Sequence, residues 1–258
     1  MAQILRKMIN INPQKYNLFR NYTCRTPPAP PYKIRHAYPC DHERLLEFMV
    51  DTYFQAEPSL VNIGLAGKPS PLLLYLMQQS IKEGLSLVCI DRSNNCIVGA
   101  AINTSPTKEG CKSTLELVCC SECEKSRELI KFFVYCSKEC NLWDKYCINH
   151  FFECSHVAVH PEHQGHGIAK RLVEESWILA RDLPSSLFRI DASSRYTAKI
   201  CESLGFDCEW SIEYKKYCCN GQFPFQNIKE PHTQFTVYSD KLDFIDDYYP
   251  SSSKKQKK

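Results

Sequence analysis

Residues 154–172 read C-S-H-V-A-V-H-P-E-H-Q-G-H-G-I-A-K-R-L, and no other stretch constrains the fold as tightly. Alternation at Val157 and Val159 predicts a strand that stops at His160-Pro161, after which a polar turn with two glycines leads into a helix at Ile168. The spacing Gln164-x-x-Gly167-x-Ala169 puts small residues where that helix begins. First-turn N–H groups have no intrahelical acceptor, and the helix dipole adds partial positive charge at the same end. Gly and Ala leave room for an anion to reach the backbone, where a bulky side chain would hold it away. A glycine turn is also a common plain connection between strand and helix, and the residues around it have to decide.

They do so by resemblance. Q-G-H-G-I-A after V-A-V-H-P-E-H resembles the pyrophosphate loop of GNAT acyltransferases, whose pattern is Gln or Arg, two residues, Gly, one residue, then Gly or Ala. Gln164, Gly167 and Ala169 match it, with a strand before and a helix after. The resemblance implies acetyl-CoA as co-substrate, held by Val157, Ala158, Val159, Gln164, Gly165, His166, Gly167, Ile168 and Ala169. It also implies that amides near Val157–Val159 polarise the thioester carbonyl.

The rest of the chain supplies a compatible order of elements. Residues 1–31 carry scattered charge and end in T-P-P-A-P-P, which cannot join a helix or sheet interior, so they are expected to form a flexible extension. A first strand begins at Tyr32, followed by a helix N-capped by Asp41, with Leu45, Leu46, Met49 and Tyr53 on one face, ending before Glu57-Pro58. A helix over 71–83, a hairpin around Ser93-Asn94-Asn95, a loop over 105–117 and a charged amphipathic helix over 121–140 come next. After the strand at 149–160 and the loop, a helix runs to Asp182, then a strand over 187–192, a helix over 195–204 and strands over 209–217 and 234–241. This is a mixed α/β domain with one central sheet. It resembles the GNAT fold, a mixed, mostly antiparallel twisted sheet flanked by helices, across residues 32–242, with 243–258 as a disordered lysine-rich tail.

Composition narrows the functional classes. The formal charge is +3, yet Lys254, Lys255, Lys257 and Lys258 supply four positive charges, leaving residues 1–253 at −1. Such a body carries no basic footprint for nucleic acid. No apolar run approaches the ~20 residues needed to span a bilayer, and the N-terminal residues lack a secretory pattern. The expectation is a monomeric cytoplasmic enzyme with a small-molecule partner. Sixteen cysteines in so long a chain read as reduced thiols. In the dense segment 119–147, Cys120, Cys123, Cys136 and Cys140 could be arranged around zinc, but Cys136 and Cys140 have helical spacing and fit small core residues better. His156 and His160 share a strand face without a third ligand, so no metal is expected.

Transferring an acyl group to an amine first requires a neutral amine. With an amine pKa near 10, roughly one molecule in 1000 is neutral at pH 7, a deficit of about 4 kcal/mol that a base must offset. Glu57 is the candidate. D-H-E-R-L-L-E-F-M-V-D-T-Y-F-Q-A-E-P resembles the first helix of arthropod arylalkylamine (dopamine-type) N-acetyltransferases, in which a Glu directly before Pro is the general base, acting through water. A carboxylate at a helix C-terminus faces the negative end of the dipole, and with burial this would strengthen it as a base. A solvated helix-end glutamate is the plainer alternative.

A-S-S-R-Y-T-A-K-I-C-E-S-L-G-F resembles the stretch of the same enzymes in which two serines four apart serve catalysis. Ser193 and Thr197 match, Thr197 standing where serine is expected, and four-residue spacing puts both hydroxyls on one helix face. Helix capping is the other use for Ser193 and Ser194, and the Tyr196 phenol is a reserve acid. Tyr53, Phe54, Phe151, Phe152, Tyr214 and Tyr217 could line an aryl pocket, though most would serve the core. The resemblance therefore points to N-acetylation of a small amine such as dopamine, serotonin, octopamine or tryptamine. A polyamine, amino-acid or lysine acceptor and a non-catalytic CoA-binding module remain open beside it.

Overall fold

A computed structural model describes residues 31–110 and 123–242. The expected N-terminal extension (all but Pro31), the lysine-rich tail, Cys119, Cys120, residues 111–117 of the expected loop and the first two residues of the helix expected over 121–140 lie outside the described residues.

Seven strands form one sheet in the order β1-β2-β3-β4-β5-β7-β6. They are β1 (Tyr32–His36), β2 (Leu87–Asp91), β3 (Ile97–Thr104), β4 (Phe152–Val159), β5 (Leu187–Ala192), β6 (Asp207–Glu213) and β7 (Gln234–Lys241). Every neighbouring pair is antiparallel except β4 and β5, which run parallel. The mixed, mostly antiparallel sheet expected from the sequence is therefore present, flanked by helices.

Helices among the described residues include α1 (His42–Asp51), α2 (Tyr53–Ala56), α3 (Pro58–Asn62), α4 (Pro71–Lys82), α5 (Glu124–Cys140), α6 (Leu142–Lys145), α7 (Ile168–Arg181) and α8 (Arg195–Leu204). Two apolar clusters occupy the two faces of the sheet. One gathers Leu45 and Met49 of α1, Phe54 of α2, Phe132 of α5 and Phe151, Tyr214 and Phe235. The other packs Leu172 and Val173 of α7 and Cys201 of α8 onto Phe188 and Ile190 of β5.

The single helix expected up to Glu57 is broken at Thr52, whose φ is −121° and whose hydroxyl donates to the Phe48 carbonyl at 2.6 Å. Tyr53 therefore leaves the Leu45–Met49 face and turns toward the sheet, its ring edge-on to His156 at 4.7 Å. Asp41 occupies the N-cap position of α1 but does not cap it. Its carboxylate takes a two-pronged bond from Arg35 (2.6 and 2.9 Å) and the Tyr38 amide at 2.8 Å, tying β1 to the start of α1. That guanidinium holds Asp41 below the usual carboxylate range.

Two irregularities shape the centre of the sheet. Ile102 faces His156 and Asn103 faces Cys154, so Ser155 is an extra residue in β4. The bulge resets the alternation, and Glu153 and His156, three apart, both line the same cleft. Secondly, β4 pairs with β5 only from Phe152 to Cys154, although both strands continue beyond. Ser155–Val159 keep β3 on one side and have no strand on the other.

Among the described residues no helix is long and apolar enough to cross a membrane.

Candidate active site

The gap between β4 and β5 opens into a cleft of about 1500 Å³ that touches both faces of the sheet. Its walls include Tyr53, Phe54 and Glu57 from α2 and the turn into α3, and Val157, Ala158 and Val159 of β4. Gln164, Gly165, Gly167, Ile168 and Ala169 line it at the entry of α7, and Ser193, Ser194, Tyr196 and Thr197 at the entry of α8. The sequence-predicted residues thus converge, with His166 beside the cleft rather than in its wall.

The loop is built for backbone exposure. Pro161–His163 make a 3-10 turn capped by His160, Gly165 has φ +80° and Gly167, the residue before α7, φ +73°. An added Cβ at either glycine would meet no protein atom within 4 Å. Glycine is used here for its left-handed backbone and for the space it leaves in front of the α7 amides. Gln164 Nε2 donates to the Val159 carbonyl at 3.3 Å, closing the loop on the end of β4. On the sheet side, a Cβ at Gly99 of β3 would lie 2.8 Å from Ile168 Cγ2, so this glycine lets the first residue of α7 rest on the strand.

Glu57 is 4% exposed. It ends α2 and at the same time N-caps α3, with Oε2 accepting the Leu60 amide at 2.7 Å and the Ser59 hydroxyl at 2.6 Å. The electrostatic expectation is corrected here: the carboxylate caps the positive end of α3, because Pro58 starts a new helical turn directly after it. Neither is it a solvated helix end. Oε1 is buried and makes no hydrogen bond to the protein. Burial raises the phenols of Tyr53 and Tyr214 well above their usual range, and the Glu57 charge adds to both.

At α8, Ser194 is the cap, accepting the Thr197 amide at 3.1 Å and sharing a 3.0 Å hydroxyl contact with Thr197 Oγ1. Ser193 is not used for capping. Its carbonyl accepts the Tyr214 hydroxyl at 2.8 Å. Tyr196 is 62% exposed, edge-on to His232 at 5.2 Å.

Sequence reasoning did not single out the charged group on the cleft floor. Arg189 of β5 forks onto Asp191 (2.8 and 2.7 Å) and approaches Glu153 Oε1 at 3.3 Å. Burial pushes the Glu153 carboxyl up to about 6 against the pull of Arg189. It also pushes His156 down to about 4, leaving a neutral imidazole whose Nδ1 is buried without a partner. Arg189 and Asp191 alternate within an otherwise apolar strand, L-F-R-I-D-A, and that was the available signal.

Of the six aromatic candidates, Tyr53, Phe54 and Phe151 line the cleft; Phe152, Tyr214 and Tyr217 are core. Phe133, Trp143 and Phe235 join the lining. Cys136 and Cys140 are buried free thiols, both pushed up by burial, Cys140 to about 11. His156 and His160 do not share a face: His156 points to the cleft, while His160 has left the strand to cap the following turn. At the surface, His160, Glu162 and His163 bring potential ligand atoms within 4.8 Å of one another.

Residues 127–208, from α5 through the loop to the start of β6, match the family model described as Acetyltransferase (GNAT) domain. Solved structures share the fold. A mosquito arylalkylamine N-acetyltransferase like 5b superposes with a TM-score of 0.76 at 17% identity, covering 82% of this chain and 100% of that one. Arylalkylamine N-acetyltransferase 2 from Aedes aegypti gives 0.75 at 22% identity over 82% and 99%. The Drosophila melanogaster polyamine N-acetyltransferase that forms N-acetylagmatine gives 0.73 at 18% over 82% and 100%. The chain thus has the fold of these N-acetyltransferases, and its segment 127–208, which carries the glycine loop, matches the GNAT domain model.

Proposed function

We propose that this protein transfers the acetyl group of acetyl-CoA to the primary amine of a small arylalkylamine, such as dopamine, serotonin, octopamine or tryptamine. One observation carries the reading: a single cleft joins the glycine loop at α7 to a buried carboxylate, Glu57, with an unpartnered oxygen. A cleft of about 1500 Å³ exceeds the usual range of roughly 300–1,000 Å³ for one ligand, and so has room for two substrates. GNAT acetyltransferases use acetyl-CoA, and the site fits it. The unpaired side of Ser155–Val159 offers backbone partners to an extended amide chain, and the α7 amides behind Gly165 and Gly167 face the cleft where a pyrophosphate would lie.

In this reading Gln164–Ala169 hold the pyrophosphate, and amides of Val157–Val159 polarise the thioester carbonyl. Glu57 Oε1 takes the proton that the amine must lose, directly or through one water. The neutral amine then attacks the carbonyl carbon, the C–S bond breaks to a thiolate, and the second proton lost by the nitrogen passes through a hydroxyl to that thiolate, giving the amide and the free thiol. Ser193 is the better placed hydroxyl to protonate that thiolate, since Thr197 shares its own with Ser194; Tyr196 is the reserve. Tyr53, Phe54 and Phe151 supply the aryl wall. We place the reaction in the cytoplasm, carried out by a monomer with free thiols.

A second reading, acetylation of a polyamine or guanidino amine, draws on the half-buried Glu153 and Asp191 and the buried Glu57 lining the same cleft as Arg189, three carboxylates to one guanidinium. The Drosophila neighbour that forms N-acetylagmatine supports it. Acetyl-CoA turnover, followed by thiol release, against arylalkylamines, agmatine, spermidine and a lysine peptide decides between them. Highest kcat/KM on agmatine would replace the first reading by the second. Acetyl-CoA binding without turnover on any amine would leave a CoA-binding module.

A further inference from the structure

Glu57 is held in a lopsided way. Both donors that reach it, the Leu60 amide at 2.7 Å and the Ser59 hydroxyl at 2.6 Å, fall on Oε2, and none falls on Oε1. The amide bond alone completes the N-cap of α3, so the hydroxyl is surplus to capping. Ser59 is 0% exposed, which shields its proton from competing water and fixes its direction. Pro58 at the first position of α3 restrains the backbone between the two residues.

We infer that Ser59 is a positioning residue for the acetyl transfer: its hydroxyl locks the Glu57 carboxylate so that Oε2 is spent and Oε1 alone is presented to the amine. The inference rests on the reading of Glu57 as general base. A hydrogen bond to a carboxylate interacts more strongly with its charged form than with its neutral one, so removing the Ser59 donor is read through the pH dependence of the rate.

The neighbours leave this control to Ser59. Tyr53 from α2 and Tyr214 from the turn after β6 face Glu57 as neutral phenols, both raised by burial. Asp191 of β5 acts on the same two phenols, and His156 of β4, kept neutral by burial, packs against Tyr53. Glu153 titrates in the acid range, so the profiles below are repeated with Glu153→Gln as background.

The test is the pH profile of kcat/KM for the full chain with its best amine, for Ser59→Ala, Ser59→Thr, Ser59→Cys and Glu57→Gln. Ser59→Ala should move the acidic limb upward by about one pH unit, a tenfold change in proton affinity. KM for acetyl-CoA should stay within about twofold, since the loop is untouched. Ser59→Thr, which keeps the donor, should restore the limb. Ser59→Cys, of similar volume with a weaker donor, should fall between and gives the answer if the alanine variant does not fold. A limb that stays at the wild-type pH in both Ser59→Ala and Ser59→Cys overturns the inference. The base reading stands in that case if Glu57→Gln has lost its rate. Wild-type rates in Glu57→Gln overturn both.

Discussion

The Tyr214 hydroxyl donates to the carbonyl oxygen of Ser193 at 2.8 Å, linking the turn after β6 to the entry of α8 from inside the apolar cluster. Tyr214 is 2% exposed, and its ring packs at 5.6 Å from Phe132. Replacing Tyr214 by Phe keeps the ring and leaves that carbonyl short of a partner. We predict a loss of about 1–2 kcal/mol in stability, together with a fall in kcat as Ser193 gains freedom. Urea unfolding and steady-state kinetics on Tyr214→Phe measure the two. A kcat equal to wild type would separate this bond from the chemistry.

Glu57→Gln should bind acetyl-CoA as wild type does, because Glu57 lies outside the glycine loop. Its rate near neutral pH should drop by about 10²–10⁴, the usual contribution of a positioned base. Part of that loss should return at high pH, where more of the amine is already neutral. Calorimetric acetyl-CoA titration beside a pH–rate series checks both halves. A rate unchanged at pH 7 would remove Glu57 from the mechanism.

Gly99→Ala places a methyl 2.8 Å from Ile168 Cγ2 and 3.2 Å from Leu172 Cδ1. The overpacking should cost about 1–3 kcal/mol and lift the first turn of α7 away from the strand. KM for acetyl-CoA should rise severalfold, with KM for the amine held. Gly167→Ala should raise the same constant by another route, since its φ of +73° disfavours alanine by about 1 kcal/mol and its methyl enters the space reserved for the ligand. Equal KM values for acetyl-CoA in wild type and both variants would contradict the placement of the anion.

His156 is kept neutral by burial, its pKa pushed down to about 4 from 6.5. Between those values the unfolded chain binds the extra proton more readily than the folded one. This histidine therefore favours the folded state fully above pH 6.5, and its contribution shrinks as pH falls toward 4, by at most about 3 kcal/mol. Glu153, raised to about 6 from 4.5, acts in the opposite sense, favouring the fold as pH falls through that window. His156→Gln should flatten the loss of stability between pH 6.5 and 4.5, and Glu153→Gln should steepen it. Denaturant midpoints at several pH values provide the comparison. Parallel curves for wild type and His156→Gln would show that the imidazole is solvated.

The strand–loop–helix unit around Gln164–Ala169 was legible because each part depends on local physics: alternation, left-handed glycines and a helix start. The same holds for α8, where Ser194 and Gly205 mark the two ends. Local rules reach less far at α1, which reads as one helix to Glu57; the Thr52 break depends on where the sheet accepts Tyr53. At Glu57 the helix exit is present but is also a helix entry, because Pro58 opens a new helical turn directly after it. The Ser155 bulge is likewise invisible in sequence, since only pairing with β3 reveals the extra residue. Glu153 and His156 therefore read as opposite faces of a strand. Arg189 and Asp191 were in plain view on β5, but their partner Glu153 lies across a parallel pairing that no local pattern encodes.

The pairing of β4 with β5 ends after three residues. On one side of that short seam stand β1 to β4, and on the other β5, β7 and β6. Mechanically, the sheet is two panels stitched along one corner, with the rest of the seam left open. Three residue pairs are all the ladder that joins the panels, and α7, which contacts β4 on one side and β5 on the other, is the brace across them. A ligand lying along the opening would therefore touch both panels and add to the few links between them.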